Sequence, residues 1–383
     1  MPVVAAIMMA AALAQAGGLP GDEPGNPDEA AVANFGKSLF FDKSLSKNRT
    51  QACATCHDPS RAFTDNRDGG VAGAVSLGDD GKSLGDRNTP STAYVALTPD
   101  FHRDDSGQFS GGFFLDGRAT TLIQQTTEPL LNPLEMALTD TAEIVARVAE
   151  NPDYVRTMNS LFGKSIFDDT GRAHMAIIKS IATFERSDFF SPFDSKYDRY
   201  LRGEYTLSPD EDLGRSLFFS GLTNCAKCHL NQRYVVSQRE TFTNYRFHNI
   251  GIPANRTVRS LNGLGQDYRD RGLANHPGVD PTGHAGKFKV PTLRNVAVTG
   301  PYMHNGVFKS LHTAVLYYGK FTVRNSPSDT NPETGEPWDN AEFEATIELA
   351  LLREGQPLNQ TRANVIVAFL KTLTDRRYEH LLD

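Results

Sequence analysis

The stretch Phe35–His57 reads FGKSLFFDKSLSKNRTQACATCH, and a shorter form of it, LGRSLFFSGLTNCAKCH, returns at Leu213–His229. Both copies carry Gly, then Lys or Arg, then Ser-Leu-Phe-Phe, and both end on Cys-x-x-Cys-His. Eleven residues separate the second Phe from the first Cys in the first copy, and five do so in the second. The spacing of Leu and Phe indicates an amphipathic helix that leads into a turn and then the cysteine pair. Such an internal repeat predicts two related domains.

The two Cys-x-x-Cys-His motifs predict covalent haem. Thiols three residues apart can both add to the vinyl groups of one haem, and the adjacent His then reaches the iron as proximal ligand. A zinc site would place its cysteine pairs close together, whereas Cys53 and Cys225 lie 172 residues apart. A thioredoxin-like motif would lie in a βαβ pattern, which the sequence lacks. We therefore predict two c-type haems, held by Cys53, Cys56, His57, Cys225, Cys228 and His229.

The rest of the chain is dominated by helical patterns and long loops. Asp140–Gly163 and Arg362–Asp375 have apolar residues at three- and four-residue spacing, while Gly-, Asp- and Pro-rich stretches between such segments predict loops. Near Arg186–Glu211 two prolines interrupt the helical patterns. The predicted fold class is mainly α, with two cytochrome c-like domains over residues 31–190 and 191–383, each carrying one haem.

The N-terminal residues predict export. Residues 3–13 form an apolar run too short to span a bilayer, and Ala14-Gln15-Ala16 is a typical cleavage pattern, although the run contains no Lys or Arg. We expect a signal peptide over 1–16, a flexible leader over 17–30, a periplasmic location and no stable membrane span. The net charge of −7, with scattered acids, argues against binding to nucleic acid.

The sixth ligands decide what the haems can do, because a haem closed on both sides carries electrons and an open one binds peroxide or oxygen. After His57 the next histidine is His102, and no methionine follows before Met136. The first haem is therefore a candidate for an open, reactive site.

The second haem has few candidate ligands, since Met303 is the only methionine beyond His229, beside several histidines and two tyrosines. In SLHTAVLYYGKF (Ser310–Phe321), helical spacing places Leu311, Ala314, Val315 and Tyr318 on one stripe, with Tyr317 turned about 100° away. We expect Gly319 to close this helix. The pattern predicts that Tyr318 is the inward-facing tyrosine. Tyr318 could then either bind iron or pack in the core, and the pattern leaves both open. For Tyr317 the pattern favours core packing.

Several long motifs give the chain, from about Phe35 onwards, a family resemblance. They are GKSLFFDKSLSKNRTQACATCHDPSRAFTD, GDRNTPS, FFLDGRA, LNPLEMA, GKFKVPTLRNVAVTGPYMHNGVFKSL and LYYGK. The chain resembles the bacterial dihaem cytochrome c peroxidase superfamily, and within it the MauG branch. That branch completes the tryptophan tryptophylquinone cofactor of methylamine dehydrogenase.

The resemblance implies roles for individual residues. His57 would hold a high-spin haem that binds peroxide, with Glu135 as its distal carboxylate and Gln125 and Pro129 lining the same pocket. Tyr318 would be the distal ligand of a six-coordinate second haem, where the peroxidases have Met. A buried carboxyl with a raised pKa suits the proton shuttle that peroxide cleavage requires. A calcium ion between the haems would be bound by Asn88, Thr299 and Pro301.

Two positions depart from the family pattern. Leu115 replaces the tryptophan between the haems, and Thr223 replaces a surface tryptophan that relays electrons from the protein substrate in the MauG branch. Neither side chain can host a radical. Electron transfer between the haems, and from the protein substrate to the haems, must therefore differ from the tryptophan-mediated route of the family. A nearby tyrosine, or direct tunnelling between the haems, could take its place.

The resulting hypothesis is a dihaem oxidase that uses hydrogen peroxide, or oxygen plus electrons, to oxidise tryptophans of a precursor methylamine dehydrogenase by long-range electron transfer. The main alternative is a cytochrome c peroxidase that takes electrons from a small periplasmic redox protein. A dihaem electron carrier without turnover, and a relative that modifies another protein, are further alternatives.

Overall fold

The computed structural model describes residues 27–230, 239–322 and 329–382, so the predicted signal peptide and most of the leader lie outside the described residues. Its helices are α1 (Glu29–Phe40), α2 (Cys53–Cys56), α3 (Leu122–Leu131), α4 (Thr141–Ala149), α5 (Pro152–Phe162), α6 (Thr170–Glu185), α7 (Lys196–Leu201), α8 (Pro209–Phe219), α9 (Arg256–Leu261), α10 (Leu311–Tyr317), α11 (Leu349–Leu352) and α12 (Gln360–Lys371). Two short antiparallel pairs complete the regular structure, β1 (His102–Arg103) with β2 (Phe109–Ser110) and β3 (Phe247–His248) with β4 (Phe288–Lys289). The predicted mainly α class is confirmed.

Local sequence explains where the key helices begin. Pro209, which interrupts the helical pattern in the sequence, is the first residue of α8, where its missing N–H is not needed. Ser208 caps this helix through a reciprocal pair of hydrogen bonds with Glu211. Ser310 caps α10 by accepting a hydrogen bond from the backbone N–H of Thr313.

The repeated glycine makes the same helix crossing in both halves. A Cβ at Gly36 of α1 would lie 1.8 Å from the carbonyl oxygen of Ser180 in α6. A Cβ at Gly214 of α8 would lie 1.8 Å from the carbonyl oxygen of Val365 in α12. Because only a residue without a side chain permits such an approach, each glycine allows the helix ahead of the cysteine motif, α1 or α8, to pack directly on the last α-helix of its half, α6 or α12.

Two aromatic-rich cores lie on either side of residue 190. The first gathers Phe35, Leu39 and Phe40 of α1 with α6 and ends at Phe190. The second begins at Tyr197 and gathers residues of α8 and α12. We propose on this ground that the domain boundary falls near 190/191.

Buried polar contacts hold the two halves together. The phenol of Tyr94 donates a hydrogen bond to Asp375, whose other oxygen accepts from Asn295 at 2.8 Å. Arg87 forms ion pairs with Asp116 of its own half at 2.7 Å and with Asp270 of the other half at 2.6 Å. Within the described ranges, no helix is both long and apolar enough to cross a membrane.

Candidate haem cavity and active site

One cavity of about 850 Å³ contains both cysteine–histidine motifs. Both motifs reach it because each follows the crossing helix of its half, α1 or α8, and leaves that helix through a turn. The residues of the motifs that line the cavity are Cys53, Cys56, His57, Cys225, Cys228 and His229. The shared cavity puts the two candidate haem sites next to each other.

The two histidines are oriented in the same way. His57 Nδ1 lies 3.2 Å from the carbonyl oxygen of Phe63, and His229 Nδ1 lies 3.2 Å from that of Phe242. A carbonyl can only accept, so Nδ1 carries the proton and Nε2 keeps a lone pair that is available to a metal ion. Burial lowers the pKa of both rings, to about 4 for His229, which keeps them neutral and ready to act as ligands.

The carbonyls that orient the histidines come from residues with unusual backbone angles. Phe63 has φ 60° and Phe242 has φ 56°, both in the left-handed region that non-glycine residues rarely adopt. Each ring is fully buried, which holds the residue in this conformation. The sequence did not point to either residue, because a phenylalanine side chain gives no sign that the backbone carbonyl of that residue orients a histidine.

The charges lining the cavity also suit haem, which carries two propionates. Three of its four cationic side chains have carboxylate partners: Arg87 with Asp116 and Asp270, Arg118 with Asp116 and Glu128, and Arg294 with Asp198. The fourth, Lys289, has no carboxylate within ion-pair distance in the described parts of the chain and donates to the carbonyl of Gly112. Burial lowers the pKa of Lys289 to about 7. A propionate would supply the missing partner, so the thiols, the histidines and this lysine together fit two covalent haems.

Glu135, Gln125 and Pro129 lie on one wall of the cavity. Gln125 and Pro129 are one turn apart on α3, and Glu135 follows shortly after that helix. The Glu135 side chain accepts a hydrogen bond of 2.9 Å from Asn132, and its carbonyl accepts one of 2.7 Å from Gln51. Burial raises the pKa of Glu135, although Arg118 and Asn132 act in the opposite direction. The arrangement holds a carboxyl that can exchange a proton with a ligand in the cavity.

The predicted stripe of α10 lines the cavity beside the second motif through Leu311, Ala314, Val315 and Tyr318. Tyr318 is 37% exposed, whereas Tyr317 is fully buried in the core against Trp338 and Phe308. The exposed side of Tyr318 faces the cavity, where burial together with Cys228 and Cys225 raises the pKa of its phenol. The α-helix ends at Tyr317 and continues as a 3-10 turn from Tyr318 to Phe321, so Gly319 lies inside this turn instead of closing the helix.

Three other candidate ligands of the second haem also line the cavity, Met303, His248 and His304. His248 Nδ1 lies 2.5 Å from Glu348, and its Nε2 is buried without a hydrogen-bond partner. Met303 lies in the loop before α10, with φ 72°. With Tyr318, the cavity therefore offers four candidate side chains of three kinds to the second site: a phenol, a thioether and two imidazoles.

The predicted calcium residues Asn88, Thr299 and Pro301 also line the cavity. Asn88 Nδ2 donates to the carbonyl of Ala74 at 3.1 Å, which leaves Oδ1 as the atom suited to a cation. In the described residues no group of three or more His, Cys, Asp or Glu could hold a metal ion. A calcium site here would rest on amide and carbonyl oxygens, which are ordinary calcium ligands.

Sequence reasoning missed a second buried carboxyl, Glu185 at the end of α6. It lines the cavity, is 4% exposed and has one oxygen without a hydrogen-bond partner. Burial raises the pKa of Glu185 to about 8, so the group is largely protonated at neutral pH. Only the packing of α1 on α6 shows that this carboxyl is enclosed.

These observations first define a class: a c-type cytochrome with two covalent haems in one cavity. Comparison with known proteins then gives the family. The Di-haem cytochrome c peroxidase family matches residues 30–206. The methylamine utilization protein MauG of Paracoccus denitrificans is 51% identical over 94% of this chain and 93% of its own. A cytochrome c551 peroxidase of Nitrosomonas europaea is 29% identical over 96% and 89%.

Solved structures agree with the sequence relatives. The diheme peroxidase BthA from Burkholderia thailandensis superposes with a TM-score of 0.80 at 30% identity, covering 93% of this chain and 89% of the other. A MauG-like protein associated with microbial copper homeostasis gives a TM-score of 0.65 at 30% identity, with coverages of 95% and 96%. The chain belongs to the MauG/dihaem cytochrome c peroxidase family, and it is a haem-dependent oxidoreductase with two c-type haems.

Proposed function

We propose that the protein is a periplasmic dihaem oxidase of the MauG type. It uses hydrogen peroxide, or oxygen plus electrons, to complete the tryptophan tryptophylquinone cofactor in a precursor methylamine dehydrogenase. The observation that carries this proposal is Tyr318, which faces the cavity beside Cys225 and Cys228. The family resemblance assigns this position to the distal ligand of the second haem. The relative of 51% identity, a methylamine utilization protein, supports the same substrate.

The first haem site is the one that reacts with peroxide. Bound haem supplies the iron at which the peroxide O–O bond is cleaved. Glu135 takes the proton from the inner peroxide oxygen and returns it to the outer one, and its raised pKa brings its proton affinity closer to that of the substrate. Gln125 and Pro129 form the neighbouring wall and limit the water that reaches the site.

Tyr318 sets the reduction potential of the second haem site. A phenolate oxygen is an anionic, hard ligand that lowers the reduction potential relative to Met and favours the more oxidised iron. The raised pKa of Tyr318 means that its phenol stays neutral unless a cation lies beside it, and iron is such a cation. His229, held by the Phe242 carbonyl, would be the other protein ligand of this iron.

A calcium ion bound by Asn88, Thr299 and Pro301 would link the two halves. Asn88 belongs to the first half and the other two residues to the second, and the N–H of Asn88 already donates to the carbonyl of His304 at 2.8 Å. The ion would fix the relative position of the two haem sites, which long-range electron transfer requires.

A cytochrome c peroxidase is the second candidate function, and Thr223, at the place of the relay tryptophan of the MauG branch, is the residue that favours it. Leu115 lines the cavity, and the Thr223 hydroxyl donates to the carbonyl of Leu217 at 2.6 Å. Neither can carry the electron. In this case a small redox protein would deliver electrons to the second haem.

The decisive experiment mixes the dihaem protein with precursor methylamine dehydrogenase and peroxide. Growth of quinone absorbance in the dehydrogenase, together with slow oxidation of reduced cytochrome c, is expected. Rapid cytochrome c turnover without any quinone would replace the proposal with the peroxidase alternative. The Tyr318→Met variant should lose quinone formation.

A further inference from the structure

A route for electrons is needed on the side of the second motif, because Thr223 cannot be oxidised. Tyr197 and Tyr200, which lie one turn apart on α7, form an aromatic connection from the second haem site towards the surface.

The inner end of this connection is the carbonyl that orients His229. Phe242 accepts from His229 Nδ1 at 3.2 Å, and its ring centroid lies 5.6 Å from that of Tyr197 in an edge-to-face contact. Tyr197 is 2% exposed and packs against Phe369 at 5.4 Å as well. The ring is therefore fixed in the core, and Phe242 connects it to the proximal histidine.

The outer end is Tyr200. Its ring stacks on that of Tyr197 with a centroid distance of 6.0 Å and an interplanar angle of 28°. Tyr200 is half-buried, so part of its side chain reaches solvent, and the guanidinium of Arg215 lies 5.8 Å from the ring. By contrast, Tyr94 donates to Asp375 but is 2% exposed in the interior, where no partner protein can reach it.

We propose that Tyr197 and Tyr200 form the relay through which the dihaem centre withdraws electrons from its protein substrate. The inference rests on the proposed function and names the surface at which that function is exerted. Peroxide is the oxidant. One electron passes from the Tyr200 ring through Tyr197 to the peroxide-oxidised centre, which is reduced by one equivalent, and the phenolic O–H bond of Tyr200 breaks as its proton passes to solvent. The neutral radical then takes one electron and one proton from the substrate side chain and returns to tyrosine.

The relay is tested by trapping the radical in the dihaem protein with peroxide and no protein substrate. A nitroso spin trap followed by peptide mass spectrometry locates the adduct, and electron paramagnetic resonance of protein labelled with ring-deuterated tyrosine identifies the radical type. Tyr200→Phe should abolish the adduct at that position, and Tyr197→Phe should cause its loss at Tyr200. Tyr200→Trp, which keeps an oxidisable ring, should move the adduct onto the tryptophan.

Tyr205→Phe is the matched control. Tyr205 is equally half-buried and lies close by, but it donates to Glu211 and its ring does not stack on the pair. This variant should leave the adduct at Tyr200 unchanged. The absorption spectrum of the second haem in each variant shows that its site is intact.

An unchanged adduct in Tyr197→Phe with an intact spectrum, or no adduct at Tyr200 in the parent protein although peroxide oxidises the haems, would overturn the relay. If the adduct forms at Tyr200 but no quinone appears in precursor dehydrogenase, the relay is supported and the proposed function is refuted. Quinone formation at an undiminished rate in Tyr200→Phe would refute the relay and leave the proposed function intact.

Discussion

Tyr317 and Tyr318 are consecutive residues with opposite environments. The phenol of Tyr317 donates to the carbonyl of Gly251 inside the core, whereas Tyr318 turns towards the cavity that contains Cys225 and Cys228. The change from α-helix to 3-10 turn between them keeps the second ring on the cavity face. Two similar side chains therefore have separable roles, and substitutions can distinguish them.

Replacing Tyr318 with Met should change the absorption spectrum of the second haem and abolish quinone formation, because a neutral thioether does not stabilise the oxidised iron as a phenolate does. The matched variant Tyr317→Phe should leave the spectrum alone. It should lower the free energy of unfolding by about 1–3 kcal/mol, because the Gly251 carbonyl loses its donor. If the spectrum of the second haem is unaltered in Tyr318→Met, Tyr318 does not bind the iron and contributes to packing alone.

Glu135→Gln should slow the reaction with peroxide by on the order of 10²–10⁴, since the amide cannot accept the peroxide proton. In the parent protein the carboxylate form increases with pH through a pKa raised above the ordinary value of about 4.3, so the rate should rise with pH across that raised pKa. The variant should lose this dependence. Stopped-flow spectra over a pH series measure both effects, and Glu150→Gln, on an exposed ion pair with Arg49, serves as control. A rate that falls as pH rises would contradict the role.

Asn88→Ala should remove calcium binding, because the side-chain oxygen is the part of the candidate site that a substitution can delete. Isothermal titration of calcium into chelator-treated dihaem protein measures it, with the exposed Asn48→Ala as control. Equal binding by Asn88→Ala and the parent, or no binding by the parent, would refute the site.

Gly36→Ala and Gly214→Ala should each destabilise the protein by about 1–3 kcal/mol, because the added methyl meets a backbone carbonyl that cannot move alone. The loss should occur although alanine favours helices over glycine. Spectra should show disturbance of the first haem in Gly36→Ala and of the second in Gly214→Ala. Gly221→Ala, where a Cβ meets no atom within 4 Å, should change stability by less than about 0.5 kcal/mol. Equal behaviour of all three variants would show that the crossings do not set the haem sites.

Much of the architecture could be predicted because periodicity and capping are local. The run ending at Gly163 was predicted as helical and forms α4 and α5, divided at Asn151, which caps the helix that begins with Pro152. The haem motifs and the inward stripe of α10 likewise follow from spacing.

What could not be predicted depends on contacts between distant segments. The left-handed backbone of Phe63 and Phe242 is imposed by the surrounding core, and their residue type gives no sign of it. The role of Lys289 depends on the fold, which brings its side chain into the cavity beyond ion-pair distance of the described carboxylates. The sequence indicated only that some nearby tyrosine could replace the missing tryptophan. It did not indicate that Tyr197 and Tyr200 stack on each other.

The final turn of the described chain, Arg376–Leu381, returns from the second half to the loop that orients His57. Tyr378 donates to the carbonyl of Pro59 at 2.9 Å, and the guanidinium of Arg377 lies 5.2 Å from the ring of Phe63. A first half expressed as a separate fragment would therefore bear an uncovered proximal loop. The halves resemble a duplicated module, but they no longer form two independent cytochromes.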